Sequence, residues 1–322
     1  MVAAAAVFLA LTGCETKATN DGSLQFNRPA MGEYFHDVPD QYYKNLDKAL
    51  EVTQNPVARE NIERLKEIPI AQWLNGDVVS TRDVINENLD QSRLEGSIPL
   101  FVLYNVPHRD LGGEAAGGAK APNDYYNWVK EVSDTIGNKS TVVILEPDAL
   151  AQIPNMRTEV QRVERVVMLH DALTMLAERN KNTAVYLDAG NSAWHKPAEI
   201  VKLIQEVDPR EKLVGGISLN VSYQSSEETT RRYARDVSTL LGRPLHVMID
   251  NSMNGASNTD KIVDWCNPEG EHIGSVDDYT YLNDGLVEEA YIKVPGESDG
   301  ACGTSSKRAG EFDIDLLIRQ TS

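Results

Sequence analysis

The chain has 322 residues, of which 41% are apolar and 25% charged, and its formal net charge is −18. This length is enough for one α/β barrel or for two smaller domains with buried cores. The acidic balance and the lack of a block of basic residues argue against nucleic acid and anionic lipid as partners. The composition fits a soluble, exported enzyme that acts on a neutral substrate.

The N-terminus carries the features of an export signal. Residues 2–13 are small and apolar, and this run is too short to span a membrane but suits the central region of a signal peptide. It ends in Leu-Thr-Gly-Cys, which resembles the cleavage site of bacterial lipoproteins, where the cysteine becomes the lipidated first residue. We therefore expect a signal peptide over 1–13 and a membrane anchor at Cys14. An ordinary signal peptide with a chance cysteine is the alternative.

The remaining chain predicts one domain. Residues 14–30 are polar and lack periodicity, which is typical of a tether, and no internal repeat or low-complexity linker divides residues 31–322. Export would leave Cys266 and Cys302 in an oxidising compartment. Because an even number of cysteines can pair completely, we expect these two to form a disulfide.

Short apolar runs alternate with segments of helical spacing along this domain. The predicted strands are 70–74, 99–104, 141–145, 183–187, 215–220, 244–249 and 289–294. The predicted helices are 40–50, 56–67, 82–95, 123–136, 157–179, 197–206, 227–241 and 312–319. On two of these helices the apolar spacing favours burial of Tyr126, Val163 and Val167.

The alternation predicts a parallel sheet with both faces covered by helices. Seven strands are one fewer than a regular eightfold barrel has. We therefore predict an α/β fold with a distorted or incomplete seven-stranded barrel. An open doubly wound sheet is the second choice.

The segment from Thr141 to Leu150 (TVVILEPDAL) organises the functional prediction. Its apolar half is typical of a buried strand, and Pro147 ends the strand because proline cannot donate to the ladder. Asp148 therefore lies just past the carboxyl end of a strand, on the rim where parallel α/β folds bind ligands. From this segment alone, a helix N-cap is an equally good interpretation of Asp148.

Other strand ends carry the same residue types. Acidic and aromatic side chains follow or end the predicted strands at Trp73, Tyr104, Asp110, Asp148, Asp188, Trp194, Asp250 and Asp299. Aromatic rings stack on the apolar faces of sugars, and paired carboxylates supply an acid and a base. The pattern therefore indicates a carbohydrate site. No metal-ligand spacing, serine-nucleophile elbow or phosphate loop occurs, so we expect neither a metal nor a cofactor.

Five segments resemble motifs of glycoside hydrolase family six, the cellulases that comprise endoglucanases and cellobiohydrolases. They are Leu103–Asp110 (LYNVPHRD), Val143–Leu150 (VILEPDAL), Tyr186–Trp194 (YLDAGNSAW), Asp264–Asn267 (DWCN) and Lys293–Gly300 (KVPGESDG). They occur in the order and at spacings similar to those of the family. The resemblance implies a distorted seven-stranded barrel that hydrolyses β-1,4-glucans with inversion of configuration.

The resemblance also implies roles for individual residues. Asp148 would be the general acid, with Asp110 nearby to help keep it protonated. Tyr104 would lie against the distorted sugar, and Asp299 would occupy the position of the family's proposed base. The implied substrate-binding residues are Trp73, Asp188, Trp194, Asn220, Trp265, Lys293 and Glu297. Core packing of Trp73 or Trp194 and strand-end capping by Asp188 or Asp250 are the structural alternatives.

The chain departs from the family pattern at four positions. Leu111 replaces a cysteine of a second disulfide, and Ala115 and Ala116 stand where a serine commonly helps to hold the catalytic water. Met253 replaces an arginine expected to pair with the residue matching Asp299. These changes concern activation of the water and leave the acid side of the reaction intact.

The loops that roof the cleft in cellobiohydrolases look short here, which favours an open cleft and endo cleavage. We therefore expect a monomeric endo-β-1,4-glucanase whose partners are a β-glucan and, through Cys14, a membrane. A cellobiohydrolase, a non-catalytic glucan-binding lipoprotein on the same scaffold, and a two-lobed solute-binding protein remain alternatives.

Overall fold

A computed structural model describes residues 27, 32–34, 40–256, 264–275, 281–282 and 286–322. The predicted signal peptide, the anchor at Cys14 and most of the predicted tether lie outside these residues. Within the described residues, no helix is long and apolar enough to cross a membrane.

Seven parallel strands form the main sheet, as the alternating pattern predicts. They are β2 (Gln72–Leu74), β3 (Leu100–Leu103), β4 (Thr141–Leu145), β5 (Thr183–Asp188), β6 (Gly216–Leu219), β7 (His246–Asp250) and β9 (Val287–Ala290), paired in this order. The short strands β1 (Gly32–Glu33) and β8 (Tyr281–Leu282) form a separate antiparallel pair. The order in the sheet follows the order in the chain, which rules out the strand reversal of an open doubly wound sheet.

The two edges of the curled sheet meet next to the predicted site. A parallel bridge joins Ile70, just before β2, to Tyr291, just after β9. Ala71 donates its N–H to the carbonyl of Tyr291 over 2.9 Å, and the indole of Trp73 donates to the carbonyl of Ile292 over 2.8 Å. The fold is thus a distorted seven-stranded barrel.

The period-2 alternation of side chains divides the apolar residues of the strands between two cores. On β3, Phe101 and Leu103 face the helices, whereas Leu100 and Val102 face the inside of the barrel. Both sets are buried, which explains why the strands are continuously apolar.

Eight helices are present in the described part of the chain, and most surround the sheet. They are α1 (Asp40–Val52), α2 (Pro56–Leu65), α3 (Val78–Glu95), α4 (Pro122–Ile136), α5 (Glu159–Arg179), α6 (Pro197–Val207), α7 (Glu227–Leu241) and α8 (Ile314–Thr321). The start of α3 precedes the predicted start because Asp77 caps it, accepting from the N–H groups of Val79 and Ser80.

The predicted helix faces are confirmed in part, and one predicted strand end is wrong. The residues buried as predicted are Val129, Val132 and Ile136 on α4 and Leu173 and Leu176 on α5. Tyr126, Val163 and Val167 are instead 46%, 49% and 48% exposed, because the buried face of each helix extends to Trp128 or Leu169 rather than to these three residues. The last main strand ends at Ala290 instead of Val294, because the next backbone groups leave the ladder for other partners.

Glu271 is a buried carboxyl next to helix α8. Its Oε2 accepts a hydrogen bond of 2.8 Å from Gln320, and its Oε1 has no hydrogen-bond partner within the described residues. Burial, helped by the negative charge of Asp299, raises the pKa of Glu271 to about 8. The folded chain therefore binds this proton more tightly than the unfolded chain does.

This proton makes stability depend on pH. The contribution of Glu271 is fully present below the ordinary glutamate pKa of about 4.3 and is lost as pH rises through about 8. We expect Glu271→Gln, which stays neutral, to raise the melting temperature by about 2–5 °C at about pH 9 and to change it little at about pH 5. Calorimetry at both pH values, with the exposed Glu87→Gln as control, measures the difference. An equal change at both pH values would contradict the assignment.

Candidate active site

A cleft of about 620 Å³ opens at the carboxyl ends of the strands. The structure brings most of the predicted site residues to its wall. These are Trp73, Tyr104, Asp110, Asp148, Trp194, Trp265, Lys293, Glu297 and Asp299. Asp188 and Asn220 are fully buried and do not line the cleft.

A buried carboxylate and a buried guanidinium hold together the two loops that follow β3 and β4. Glu146 accepts from the N–H groups of Asn105 and Val106 at 3.0 Å, and burial raises its pKa to about 7. Arg165, which α5 carries into the core, donates to the carbonyls of Ala149 and Pro107 at 3.1 and 2.8 Å. The segment that bears Asp148 is therefore tied to the segment that leads to Asp110.

Asp188 holds the backbone of Asp148. One of its oxygens accepts from the N–H groups of Asp148 and Gly190 at 2.8 and 3.0 Å, and the other accepts from the hydroxyl of Ser218 at 2.9 Å. Asp148 has a left-handed backbone with φ +69°, a strained conformation for an aspartate that this hydrogen bond helps to maintain. These contacts match the predicted structural alternative for Asp188.

The surroundings of Asp148 favour its protonated form. Burial raises its pKa well above the ordinary range, and the negative charges of Asp188, Asp110 and Asp299 add to this effect. Burial also raises the pKa of Asp188, to about 7, but three hydrogen bonds to its carboxylate oppose the rise. The proton shared by the pair therefore resides on Asp148, which is the state a general acid requires.

The loop after β3 forms a compact turn around Asp110. The carboxylate of Asp110 accepts from the N–H of Ala115 at 2.8 Å, and Arg109 donates to the carbonyls of Ala115 and Tyr104 at 2.8 and 2.6 Å. His108, Asp110 and Leu111 all have positive φ. These contacts hold the turn in the absence of the disulfide that Leu111 rules out. Burial raises the pKa of Asp110.

A second part of the cleft wall is built around Asp299. One carboxylate oxygen accepts from the ammonium of Lys293 at 2.9 Å, and the other accepts from the N–H of Asn267 at 3.1 Å. Asn267 follows Cys266, which forms the predicted disulfide with Cys302 across a Cα–Cα distance of 5.9 Å. The disulfide thus anchors the segment that holds Asp299.

Asp250 and Asn220 are buried residues that support this part of the cleft wall through hydrogen bonds. The Asp250 carboxylate accepts from the N–H groups of Ile292 and Lys293, each at 3.1 Å, and fixes the chain just before the Lys293 side chain. Asn220 donates to the carbonyls of Ser225 and Asp250. Both residues therefore position other parts of the site.

Three tryptophans border the cleft. Trp73 meets the ring of Tyr104 edge to face at a centroid distance of 5.3 Å, and the Arg109 guanidinium lies 4.5 Å from the centroid of the Tyr104 ring. Trp194 and Trp265 are 40% and 49% exposed, although indole rings are usually well covered. Exposed indoles on the wall of an acidic cleft are suited to stacking on sugar rings.

Sequence reasoning missed several residues that build the site. Glu146 and Arg165 act from inside the core, and Glu114 lines the cleft from the turn after Asp110. The sequence does mark Arg165 as unusual, because this arginine interrupts the otherwise apolar buried face of α5. Lys, Glu and Arg side chains are almost never fully buried unless they are paired.

A barrel of parallel strands with carboxylates on the rim and tryptophans beside them is the architecture of a glycoside hydrolase. Comparisons with known proteins place the chain within that class. The family model for glycosyl hydrolases family 6 matches residues 33–315, and the chain belongs to this family.

Individual relatives agree with this assignment. Endoglucanase 1 of Streptomyces halstedii is 37% identical over 221 residues, which cover 67% of this chain and 66% of the relative. Exoglucanase-6A of Humicola insolens is 24% identical over 314 residues, covering 83% and 65%. The chain thus spans somewhat less than two thirds of the length of either protein.

The fold of a solved structure matches over nearly the whole chain. The endoglucanase Cel6 from Mycobacterium tuberculosis, solved in complex with methyl-cellobiosyl-4-deoxy-4-thio-β-D-cellobioside, has a TM-score of 0.77 and 28% identity. The match covers 90% of this chain and 96% of that one. The distorted barrel is therefore shared with that protein.

The contact between Asp188 and Asp148 generates a prediction about titration. Removing the negative charge of a neighbour makes ionisation easier, so Asp188→Asn should lower the pKa of Asp148. Carbon-13 NMR of carboxyl-labelled aspartates measures this, with the Asp148 signal assigned by its absence in Asp148→Asn. The exposed Asp171→Asn on α5 is the control and should leave the titration unchanged. An unchanged Asp148 titration in Asp188→Asn would contradict the prediction.

Proposed function

We propose that the protein is an inverting endo-β-1,4-glucanase, with Asp148 as the general acid. The observation that carries the proposal is the position of Asp148, which lies in an aromatic-bordered cleft where burial and three carboxylates favour its protonated form. The family assignment and the relatives named as endoglucanases support a cellulose-type or mixed-linkage glucan as substrate.

The first half of the reaction takes place at the part of the cleft wall that carries Asp148 and Asp110, here called the acid wall. Asp148 donates its proton to the glycosidic oxygen as the bond to C1 breaks, so the leaving sugar departs as an alcohol. Asp110 lines the same cleft, and its negative charge helps to keep Asp148 protonated before the bond breaks. Tyr104, held by Trp73 and Arg109, would lie against the sugar that is distorted towards the transition state.

The second half uses the wall around Asp299. A water attacks C1 from the face opposite the leaving group, which inverts the configuration and releases an α-anomer. Asp299 occupies the position of the family's proposed base, and Lys293 holds its carboxylate. Glu297 lies in the same cleft, where it and Lys293 can bind sugar hydroxyls.

The remaining predicted residues take two kinds of role. Trp73, Trp194 and Trp265 would serve as platforms for sugar rings on the cleft wall. Asp188 and Asn220 would position the catalytic groups, because their side chains are buried and bound to backbone and hydroxyl groups.

Export of the protein is part of the same proposal. The disulfide between Cys266 and Cys302 persists in oxidising compartments, which fits an exported glucanase. Lipidation of Cys14 would hold the enzyme at the cell surface, where an insoluble polysaccharide is accessible.

Replacing the acid tests the reaction. We expect Asp148→Asn to lower the release of reducing sugar from carboxymethylcellulose or mixed-linkage glucan by about 10²–10⁴-fold, because an amide cannot protonate the leaving oxygen. Asp236→Asn, an exposed change on α7, is the matched control and should retain activity. Full activity of Asp148→Asn would contradict the role of Asp148 as the general acid. Binding of oligosaccharide without turnover by the wild type would instead support a glucan-binding protein.

The products test the remaining parts of the proposal. Endo cleavage should lower the viscosity of carboxymethylcellulose well before many reducing ends appear, whereas a cellobiohydrolase would release mainly cellobiose with little loss of viscosity. Proton NMR within the first minutes of hydrolysis should show the α-anomer of the new reducing end. Initial formation of the β-anomer would rule out inversion.

A further inference from the structure

The proposed reaction requires a group that holds the attacking water and accepts its proton. Ala115 and Ala116 line the cleft without polar side-chain atoms. Asp299 has both oxygens engaged, one by the ammonium of Lys293 and one by the N–H of Asn267. The structure offers another carboxylate for this task.

That carboxylate belongs to Glu114, in the turn that Asp110 closes. The hydrogen bond from Ala115 N–H to the Asp110 carboxylate spans Glu114 and fixes its backbone. Its side chain lines the cleft, and within the described residues no group donates a hydrogen bond or a positive charge to it. Glu114 is close enough to Asp110 for its charge to raise the Asp110 pKa.

Glu114 also contacts the segment that follows Asp299. A β-carbon on Gly300 would lie 2.5 Å from Cγ and 2.8 Å from Oε2 of Glu114. Any residue larger than glycine at position 300 would therefore clash with the Glu114 side chain. Gly300 directly follows Asp299. The side chain of Glu114 therefore lies between the Asp110 turn and the segment that follows Asp299.

We propose that Glu114 is a catalytic residue that holds the attacking water and takes its proton, a role that rests on the proposed hydrolysis. In this step the bond between C1 and the glycosidic oxygen breaks, and its electron pair stays on the oxygen, which receives the proton of Asp148. The water oxygen bonds to C1, and the water proton passes to the Glu114 carboxylate. Proton exchange with solvent then restores ionised Glu114 and protonated Asp148.

The central variant is Glu114→Gln, which keeps the size of the side chain and its contact with Gly300 but removes the base. We expect kcat to fall by about 10²-fold or more and KM to change by less than about threefold, because the lost interaction acts in the transition state. The decline of kcat at low pH, where a base becomes protonated, should disappear. The exposed Glu87→Gln carries the same charge change outside the cleft and should behave like the wild type.

Azide separates a base from a group that merely binds sugar. Azide needs no deprotonation, so it should restore turnover of 2,4-dinitrophenyl β-cellobioside by Glu114→Gln and give the α-cellobiosyl azide. Neither the wild type nor Asp148→Asn should be stimulated in this way. The melting temperature of Glu114→Gln should match that of the wild type, since its side chain is exposed.

Each outcome has a distinct meaning. Wild-type kcat and pH dependence in Glu114→Gln would overturn the role of Glu114 while the proposed glucanase activity stands. A raised KM without azide stimulation would also overturn it and would assign Glu114 to sugar binding. Absence of hydrolysis by the wild type on every β-glucan would overturn the proposed function and this inference together.

Discussion

The site depends on the need to satisfy backbone N–H groups where the chain leaves the strands. Inside the sheet these groups are paired with neighbouring strands, but beyond the strand ends they are buried and require other acceptors. Glu146, Asp188 and Asp250 supply them, each fully or almost fully buried and each accepting N–H groups from the segments around the cleft. These carboxylates fix Asp148 and Lys293 in place.

The same arrangement sets the electrostatics of the cleft. A carboxylate removed from water is costly unless it is hydrogen-bonded, and several of them close together repel one another. Asp188 and Asp250 each accept several hydrogen bonds, whereas no hydrogen bond to the Asp148 carboxylate occurs within the described residues. Asp148 therefore keeps its proton, as the proposed general acid requires. The repulsion among these carboxylates lowers the stability of the fold.

The two walls of the cleft are held by different means. On the acid wall, Glu146 and Arg165 join the loops through the core. On the wall of Asp299, the disulfide and the N–H of Asn267 hold the segment that bears this carboxylate. The turn that carries Glu114 belongs to the first wall, and the Glu114 side chain contacts the second wall at Gly300.

The sequence by itself determined the order of strands and helices and the residues that follow strand ends, because apolar runs, helical spacing and a strand-ending proline are local properties. The number of cysteines after the predicted anchor at Cys14 gave the disulfide. The sequence also carried the family motifs. The local pattern alone could not separate Asp148, which lines the cleft, from Asp188 and Asp250, which accept backbone N–H groups, because all three follow or end apolar strands.

Only the tertiary structure decided that difference, since the direction of each carboxylate depends on which unpaired N–H groups the neighbouring strands bring to it. For the same reason, only the tertiary structure shows that Arg165 binds the loops that lead to Asp110 and Asp148, and that Glu114 contacts Gly300. These contacts join segments far apart in the chain, and no local pattern records them.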